Sequence, residues 1–342
     1  MKILSIESSC DETSAAIVEK QAKSINVLSN VTATSLATHA KTGGIIPENA
    51  AREQVKYIIP VITRALNESR SMNHESWKEA RTILQNDIDA IAVTYGPGLI
   101  GSLLVGVETA KTLSFAFQKP LIPVNHLLAH LFANFIDQKI VFPFIGLIVS
   151  GGHTDLLYFK SESEFKWLGG TRDDAAGEAL DKIGRLLGLN YPAGAEIERR
   201  AKLGEKTKIR FHAPLIGEDT FDFSFSGLKS EAMRFVQNKK LTNKNVNEVC
   251  FAVQKAVIDV LTKKTLKAAE KYKCSTILLG GGVAANQTLR EKLKQEAERI
   301  EIFAPEKIYC TDNGAMIGAY ALMNPNLQEW KTVSANPELY FT

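Results

Sequence analysis

His126 and His130 stand four residues apart in the apolar run Val-Asn-His-Leu-Leu-Ala-His, 124 to 130. In a helix both imidazoles leave the same face, one turn apart. Neutral imidazole is the commonest protein ligand for a transition metal, so the pair offers two ligands without bending the backbone. Such a pair also occurs as two ordinary, partly buried side chains, and a third ligand has to decide. The zinc-peptidase pattern is missing, because Leu127 follows His126 and no carboxylate between the histidines can activate water. The best third ligand lies far downstream: Asp312, in Cys-Thr-Asp-Asn-Gly-Ala-Met, just ahead of an apolar helical run. A His, His, Asp set would leave positions open on the ion.

Carboxylates also mark the first turn, Ser8 to Thr13, where Asp11 and Glu12 are either solvated turn formers or groups placed to orient a water, a metal or an attacking amine. Three glycine turns follow apolar stretches: Tyr95-Gly96-Pro97-Gly98, Gly151-Gly152-His153 and Gly280-Gly281-Gly282. Glycine lets a backbone approach a flat or charged ligand closely, and amides at a helix start hold anions. In the segment Thr171 to Lys182, Asp173 suits an N-cap and Asp174 a first turn, while Asp181 sits deeper in the helix and asks for another reason. Asp222 to Lys229 is an aromatic, serine-rich turn that could pack a core or present hydroxyls.

Placing these groups requires alternating elements. Lys2 to Glu7 alternates as a half-buried strand and Ser14 to Val18 resumes after the polar turn, which makes a hairpin. Thr42 to Pro47 holds a Gly-Gly turn, Glu48 to Leu66 reads as an amphipathic helix, and Ser69 to Gln85 as a loop with helical pieces. Ile88 to Thr94 is a strand, Leu99 to Phe117 a helix, and Pro120 to Val124 a strand leading into the histidine helix. Phe144 to Ser150 and Thr154 to Phe159 form a second hairpin, and later Val246 to Tyr272 reads as a helix, Thr276 to Leu279 as a strand and Gln287 as a helix start. Two halves that each begin with a hairpin and continue into strand–helix units predict a duplicated α/β fold with a ligand cleft between the copies.

Hydrophobic residues make up 45% and charged residues 23% of the 342, the balance of a globular protein with ample core for two domains. The early Glu7 argues against a signal peptide, and no apolar run reads as long enough to span a bilayer, so the expected location is the cytoplasm. Cys10, Cys250, Cys274 and Cys310 show no CxxC spacing, which fits a reducing compartment. The net charge of +3 permits a nucleic-acid partner without requiring one. Basic clusters at Arg199 to Arg210, Lys239 to Lys244 and Lys263 to Lys273 read first as solvated helix faces.

Eight segments together resemble the TsaD family of tRNA N6-adenosine threonylcarbamoyltransferases. They are Ser-Ile-Glu-Ser-Ser-Cys-Asp-Glu-Thr (5–13), Tyr-Gly-Pro-Gly-Leu-Ile-Gly-Ser-Leu-Leu-Val-Gly (95–106), Asn-His-Leu-Leu-Ala-His (125–130), Val-Ser-Gly-Gly-His-Thr (149–154), Asp-Asp-Ala-Ala-Gly-Glu-Ala (173–179), Asp-Phe-Ser-Phe-Ser-Gly-Leu-Lys (222–229), Gly-Gly-Val-Ala-Ala-Asn (281–286) and Thr-Asp-Asn-Gly-Ala-Met (311–316). The resemblance implies an α/β fold of two related domains of the actin, Hsp70 and sugar-kinase type (RNase H-like), with an interdomain cleft. Its expected division is 1–125 with about 312–342, and 126–311. It implies transfer of threonylcarbamoyl from threonylcarbamoyl-adenylate to N6 of adenosine 37, in tRNAs reading codons that start with adenine, with release of AMP.

By the same resemblance His126, His130 and Asp312 bind one divalent ion, iron first and zinc or magnesium as alternatives. Ile148, Val149, Ser150, Gly151, Gly152, His153, Asp181, Gly194 and Asn286 hold the adenylate, and Asp11 and Glu12 sit at the reacting end, Asp11 as base or orienter of the adenosine amine. Implied partners are tRNA, TsaB, TsaE and a TsaC-type synthase, with a homodimer also open and no membrane involved. One loop departs from the family: Pro192-Ala193-Gly194-Ala195 stands where Pro-Gly-Gly-Pro is common. Three rival readings are weaker. An ATP-dependent kinase would carry a DxGxT-like first hairpin, the peptidase once inferred for the family lacks its base at Leu127, and a non-catalytic subunit would not need the metal set, Asp11 and every glycine turn.

Overall fold

In KILSIE, Lys2–Glu7, five successive residues are buried, the signature of a strand covered on both faces. This strand, β1, is the middle of the first of two sheets in the computed structural model, which describes residues 1–21, 24–35, 44–72, 76–136, 138–237 and 241–341. Antiparallel partners follow on one side, β2 (Glu12–Gln21) and then β3 (Ser24–Thr34), while β4 (Ala90–Gly96) and β5 (Leu121–Asn125) run parallel on the other, giving the order β3-β2-β1-β4-β5. Leu4 and Ile6 join a core with Ile58, Ile62 and Leu66 of helix α1 (Pro47–Glu68) and with Val107 of α3 (Ile100–Phe117). A shorter helix, α2 (Trp77–Asp87), packs beside α1 within a stretch expected to be largely loop. Burying each such aliphatic side chain stabilises the fold by about 1.5–3 kcal/mol.

The opposite face of the same strands carries the last helix, α10 (Gly314–Met323), and the short α4 (His126–Phe132) packs against it. Ser5 on that face donates its hydroxyl to the carbonyl of Gly314 at 2.7 Å. Here a glycine is a steric requirement: a Cβ on Gly314 would stand 2.6 Å from the amide nitrogen of Ala16.

The second sheet repeats the first. Phe144–Val149 (β6), Thr154–Phe159 (β7), Phe165–Gly170 (β8), Thr276–Gly280 (β9) and Glu301–Phe303 (β10) lie in the order β10-β9-β6-β7-β8, with the same antiparallel and parallel senses as their counterparts. Its core sets Ile145, Leu147 and Val149 against Ile183 of α5 (Ala176–Leu186), Ile197 of α6 (Gly194–Ala201), Leu228 of α7 (Ser226–Gln237) and Val253, Val257 and Leu261 of α8 (Asn243–Tyr272). Beyond β9 the chain continues into α9 (Gln287–Glu296). The duplication read from the two hairpins is thus present, and each copy carries a third strand, β3 or β8, that the hairpin pattern did not announce.

The chain forms two compact units, Met1–Ile140 with Lys307–Thr342, and Val141–Glu306. Residues 126–140 and 307–311 therefore fall in the first unit, whereas the expected division set them in the second. The reason is packing, since α4 and the turn after it lie on α10. Two further expectations are revised. The N-cap of α5 is Ala175, and Asp173 instead accepts hydrogen bonds from the amides of Phe225 and Ser226 and the hydroxyls of Ser224 and Ser226. Helix α3 does reach the length and apolar composition of a membrane span; 44% of it is buried, packed on β4 and α1, and Glu108 and Lys111 interrupt it. The expected turn at residues 42 and 43 and the basic residues 239 and 240 lie outside the described residues.

Candidate functional site

Asn125 ends β5 and caps α4: its side-chain oxygen accepts from the amides of Leu127 and Leu128 at 2.9 and 3.2 Å. Such a cap contributes about 1 kcal/mol and fixes where the helix begins. His126 and His130 consequently leave the same face, their ring centroids 4.7 Å apart. Asp312 reaches them from the turn before α10, whose cap Asn313 accepts from the amide of Met316 at 3.0 Å. One carboxylate oxygen of Asp312 lies 3.6 Å from His126 Nε2 and 3.3 Å from His130 Nε2. The three ligand atoms fall within 4.8 Å of one another, so this set could hold a metal ion.

The donor set fits such an ion. His130 is 1% exposed, and neither of its ring nitrogens makes a hydrogen bond. A buried imidazole left that way is costly, and coordination of Nε2 would satisfy one of its two nitrogens. His126 is differently placed, with Nδ1 3.0 Å from a carboxylate oxygen of Glu7 and 3.2 Å from the hydroxyl of Ser9. Burial alone would lower the His126 pKa, but the charges of Glu7 and Asp312 outweigh it and push it up to about 9. Burial pulls Glu7 the other way, and the charge and hydrogen bond of His126 hold it below the ordinary carboxylate value.

Asp11 and Glu12 come to the same place through the turn that joins β1 to β2. Gln54 of α1, itself buried, reaches the turn's carbonyls at Cys10 and Glu12 with its side-chain amide at 3.1 and 3.0 Å. From α3, Ser102 donates to the Cys10 carbonyl at 2.9 Å. Carboxylate oxygens of Asp11, Glu12 and Asp312 then lie within 4.8 Å of one another. Burial, with Asp312 and Asp11 adding to it, pushes the Glu12 carboxyl up to about 10, so it is a neutral acid at neutral pH until a cation offsets the nearby charge. Burial and the same carboxylates push the Cys10 thiol up, which removes it as a thiolate nucleophile.

The other expected residues belong to the second unit. Ile148 and Val149 are buried at the end of β6, and the turn closes through Ser150, whose amide donates to the His153 carbonyl at 2.9 Å while its hydroxyl accepts from the His153 amide at 3.1 Å. Gly151 and Gly152 are exposed, with open space where a Cβ would stand. Asp181 accepts from the amide of Ala193 at 2.7 Å and so fastens the Pro192–Ala195 loop; burial raises its carboxyl, opposed by the amides of Ala193 and Gly194. Gly194 starts α6 with open space at its Cα. Asn286 caps α9 through the amide of Leu289 at 3.0 Å and donates to Gln254 at 3.1 Å, so its side chain is engaged at both ends.

The sequence reading missed Glu7, Thr94, Gln54 and Gln254. Glu7 looks like the last residue of an alternating strand, and its distant interior partners, Thr94 at 87 residues on and His126 at 119, appear only in the fold. Gln54 and Gln254 read as ordinary polar positions in long helices.

The two sheets define the class. The chain matches T. kodakarensis HypF at a TM-score of 0.60 and 14% identity, covering 94% of this chain and 47% of that one. It matches the (R)-2-hydroxyglutaryl-CoA dehydratase component A of Acidaminococcus fermentans at 0.53 and 14%, covering 95% and 98%. Both share the actin-like, sugar-kinase-type fold, here combined with a candidate His, His, Asp metal centre.

Sequence relatives narrow this further. Residues 26–319 match the family described as TsaD, tRNA N6-adenosine threonylcarbamoyltransferase. A Clostridium botulinum protein of that name is 47% identical over 326 residues, covering 94% of this chain and 92% of that one. One from Pediococcus pentosaceus is 44% identical over 347 residues, covering 99% and 96%. The chain belongs to the TsaD family, a family of metalloenzymes that act as transferases on tRNA.

Proposed function

We propose that this chain transfers the threonylcarbamoyl group of threonylcarbamoyl-adenylate to N6 of adenosine 37, in tRNAs that read codons starting with adenine. The observation that carries the reading is the convergence of His126, His130 and Asp312 with the Asp11–Glu12 turn in one unit. In the reaction the amine nitrogen forms a bond to the carbamoyl carbon, the bond from that carbon to the phosphate oxygen breaks, AMP leaves and one proton is lost from N6. An exocyclic aromatic amine is a poor nucleophile, so positioning does much of the catalysis.

His126, His130 and Asp312 would hold one divalent ion, with iron expected and zinc or magnesium as alternatives. That ion, when bound, supplies a Lewis acid for the carbonyl being attacked. Asp11 orients the amine and takes its proton, which becomes acidic once the new bond forms, so Asp11 need not be a strong base. Glu12 stands beside it in the same turn, within 4.8 Å of Asp11 and Asp312, and would help to hold the amine in place. In the second unit, the residues from Ile148 to His153 with Asp181, Gly194 and Asn286 would hold the adenylate. The open space at Gly151, Gly152 and Gly194 supports close approach of a ligand to backbone amides. Asp181 and Asn286, whose side chains are engaged with the Ala193 amide and with Leu289 and Gln254, would act by shaping the two helix starts.

The proposal extends to partners. Val55, Tyr57 and Ile59 on α1 and Ile100 and Leu104 on α3 are exposed, and a protein of the TsaB type or a second copy of this chain would cover them; TsaE and a TsaC-type synthase would complete the system. The experiment supplies unmodified tRNA with adenosine or guanosine at position 37, together with threonylcarbamoyl-adenylate and the TsaB and TsaE partners. AMP release matched one to one by modified nucleoside, and only with adenosine 37, is the expected outcome. AMP release that is indifferent to the base would overturn the acceptor assignment.

A further inference from the structure

Glu7 is fully buried, and all of its contacts are donors. One carboxylate oxygen accepts from the Ser9 amide at 2.5 Å, and the other accepts from the Thr94 hydroxyl at 2.6 Å and lies 3.0 Å from His126 Nδ1. A carboxylate is acceptor-only, so in the neutral ring, the form that can bind metal, the hydrogen must be on Nδ1, which leaves the lone pair on Nε2, facing Asp312. The Ser9 hydroxyl beside Nδ1 can donate or accept, and therefore follows this choice without setting it.

We infer that Glu7 is a positioning residue for the metal centre: it fixes the tautomer and ring orientation of His126 so that Nε2 faces the ion. The inference rests on the metal reading above and adds the residue that makes one ligand competent. Carboxylates behind a metal-bound histidine change affinity by about 10- to 100-fold when removed.

Glu7→Gln tests this without changing shape. If the glutamine oxygen keeps the Ser9 amide, its NH2 group sits where the second carboxylate oxygen was, facing His126 Nδ1. Two donors then oppose each other unless the ring hydrogen moves to Nε2, where it blocks coordination. Turning the amide over sets NH2 against the Ser9 amide instead, so neither orientation keeps the original arrangement.

The measurements are zinc affinity of the full chain by chelator competition, and the 15N spectrum of the His126 ring. Glu7→Gln should bind zinc about 10- to 100-fold more weakly and carry its ring proton on Nε2. Thr94→Val, which removes a donor to Glu7 but leaves its oxygens, should lose far less. Glu7→Asp keeps an acceptor-only group and should bind zinc more tightly than Glu7→Gln. Unchanged zinc affinity and tautomer in Glu7→Gln overturn the inference. Should that variant not fold, zinc-loaded wild type decides, because zinc on Nδ1 of His126 overturns it as well. His126→Ala separates the two levels: if it too retains zinc, the metal reading fails, whereas zinc lost there but kept in Glu7→Gln refutes only the role of Glu7.

Discussion

Replacing Gly314 with alanine should disturb the candidate metal centre without touching any of its proposed ligands. The added Cβ would meet the backbone of Ala15 and Ala16 in β2 at 2.6–2.7 Å, whereas ordinary contact begins at 3.4 Å. Both sides are backbone, one in a sheet and one in a helix, so no side chain can swing aside. Helix α10 must lift by most of an ångström. Overpacking of this kind costs about 1–3 kcal/mol. The same lift moves Asp312, two residues earlier, away from nitrogens that it approaches at 3.3 and 3.6 Å. Zinc affinity should fall together with stability. The assay is denaturant unfolding of the metal-free protein beside a zinc competition titration, with Gly151→Ala as the control, since nothing lies within 4 Å of a Cβ there. Gly314→Ala within about 0.5 kcal/mol of wild type, the range of an ordinary surface change, and with unaltered zinc affinity would refute the packing argument.

Four other outcomes follow from the structure. Metal uptake should be proton-coupled: His126, with its pKa raised to about 9, is protonated below that pH and must become neutral to bind, so apparent zinc affinity should rise about tenfold per pH unit from 7 and level off above about 9. By the same linkage, the stability that the His126–Glu7 pair gives the metal-free protein is complete below the unfolded value of 6.5 and lost as pH rises through 9, which a series of melts would show. Asp11→Asn should bind the adenylate normally in a filter assay yet lose about 10²- to 10⁴-fold in transfer, the range for a positioned acid or base; near-normal turnover would remove Asp11 from the mechanism. Asp173→Asn should loosen the Ser224–Ser226 turn, read as faster amide exchange at Phe225 and Ser226, because those amides lose a charged acceptor.

What the sequence made legible follows physical range. The strands β1, β4, β6 and β9 are compact apolar runs and the helices α1, α3 and α8 long uninterrupted segments, so their reading needs no distant partner. The strands β3 and β8 escaped because each is an edge strand with a half-exposed, polar outer face, as in SINVLSNVTAT, so alternation is diluted. Within the site, the histidine pair is a one-turn signal and was visible at once. Asp312 lies 182 residues beyond His130 and could be picked only because an aspartate before an apolar helix is a recognisable position. Glu7 and Gln54 stayed hidden, since what makes them special is burial against Thr94 and against the carbonyls of a turn, which no local pattern encodes.

The central claim is that one centre, built by α4 and the start of α10, carries transfer to tRNA. The most direct measurement pairs metal content with nucleoside mass spectrometry on the same preparations of wild type, His126→Ala and Asp312→Ala, each with unmodified tRNA, threonylcarbamoyl-adenylate and the partner proteins. The account predicts one ion and threonylcarbamoyladenosine in wild type, and loss of both in each folded variant. Variants that lose the ion but still produce the modified nucleoside at the wild-type rate would contradict it.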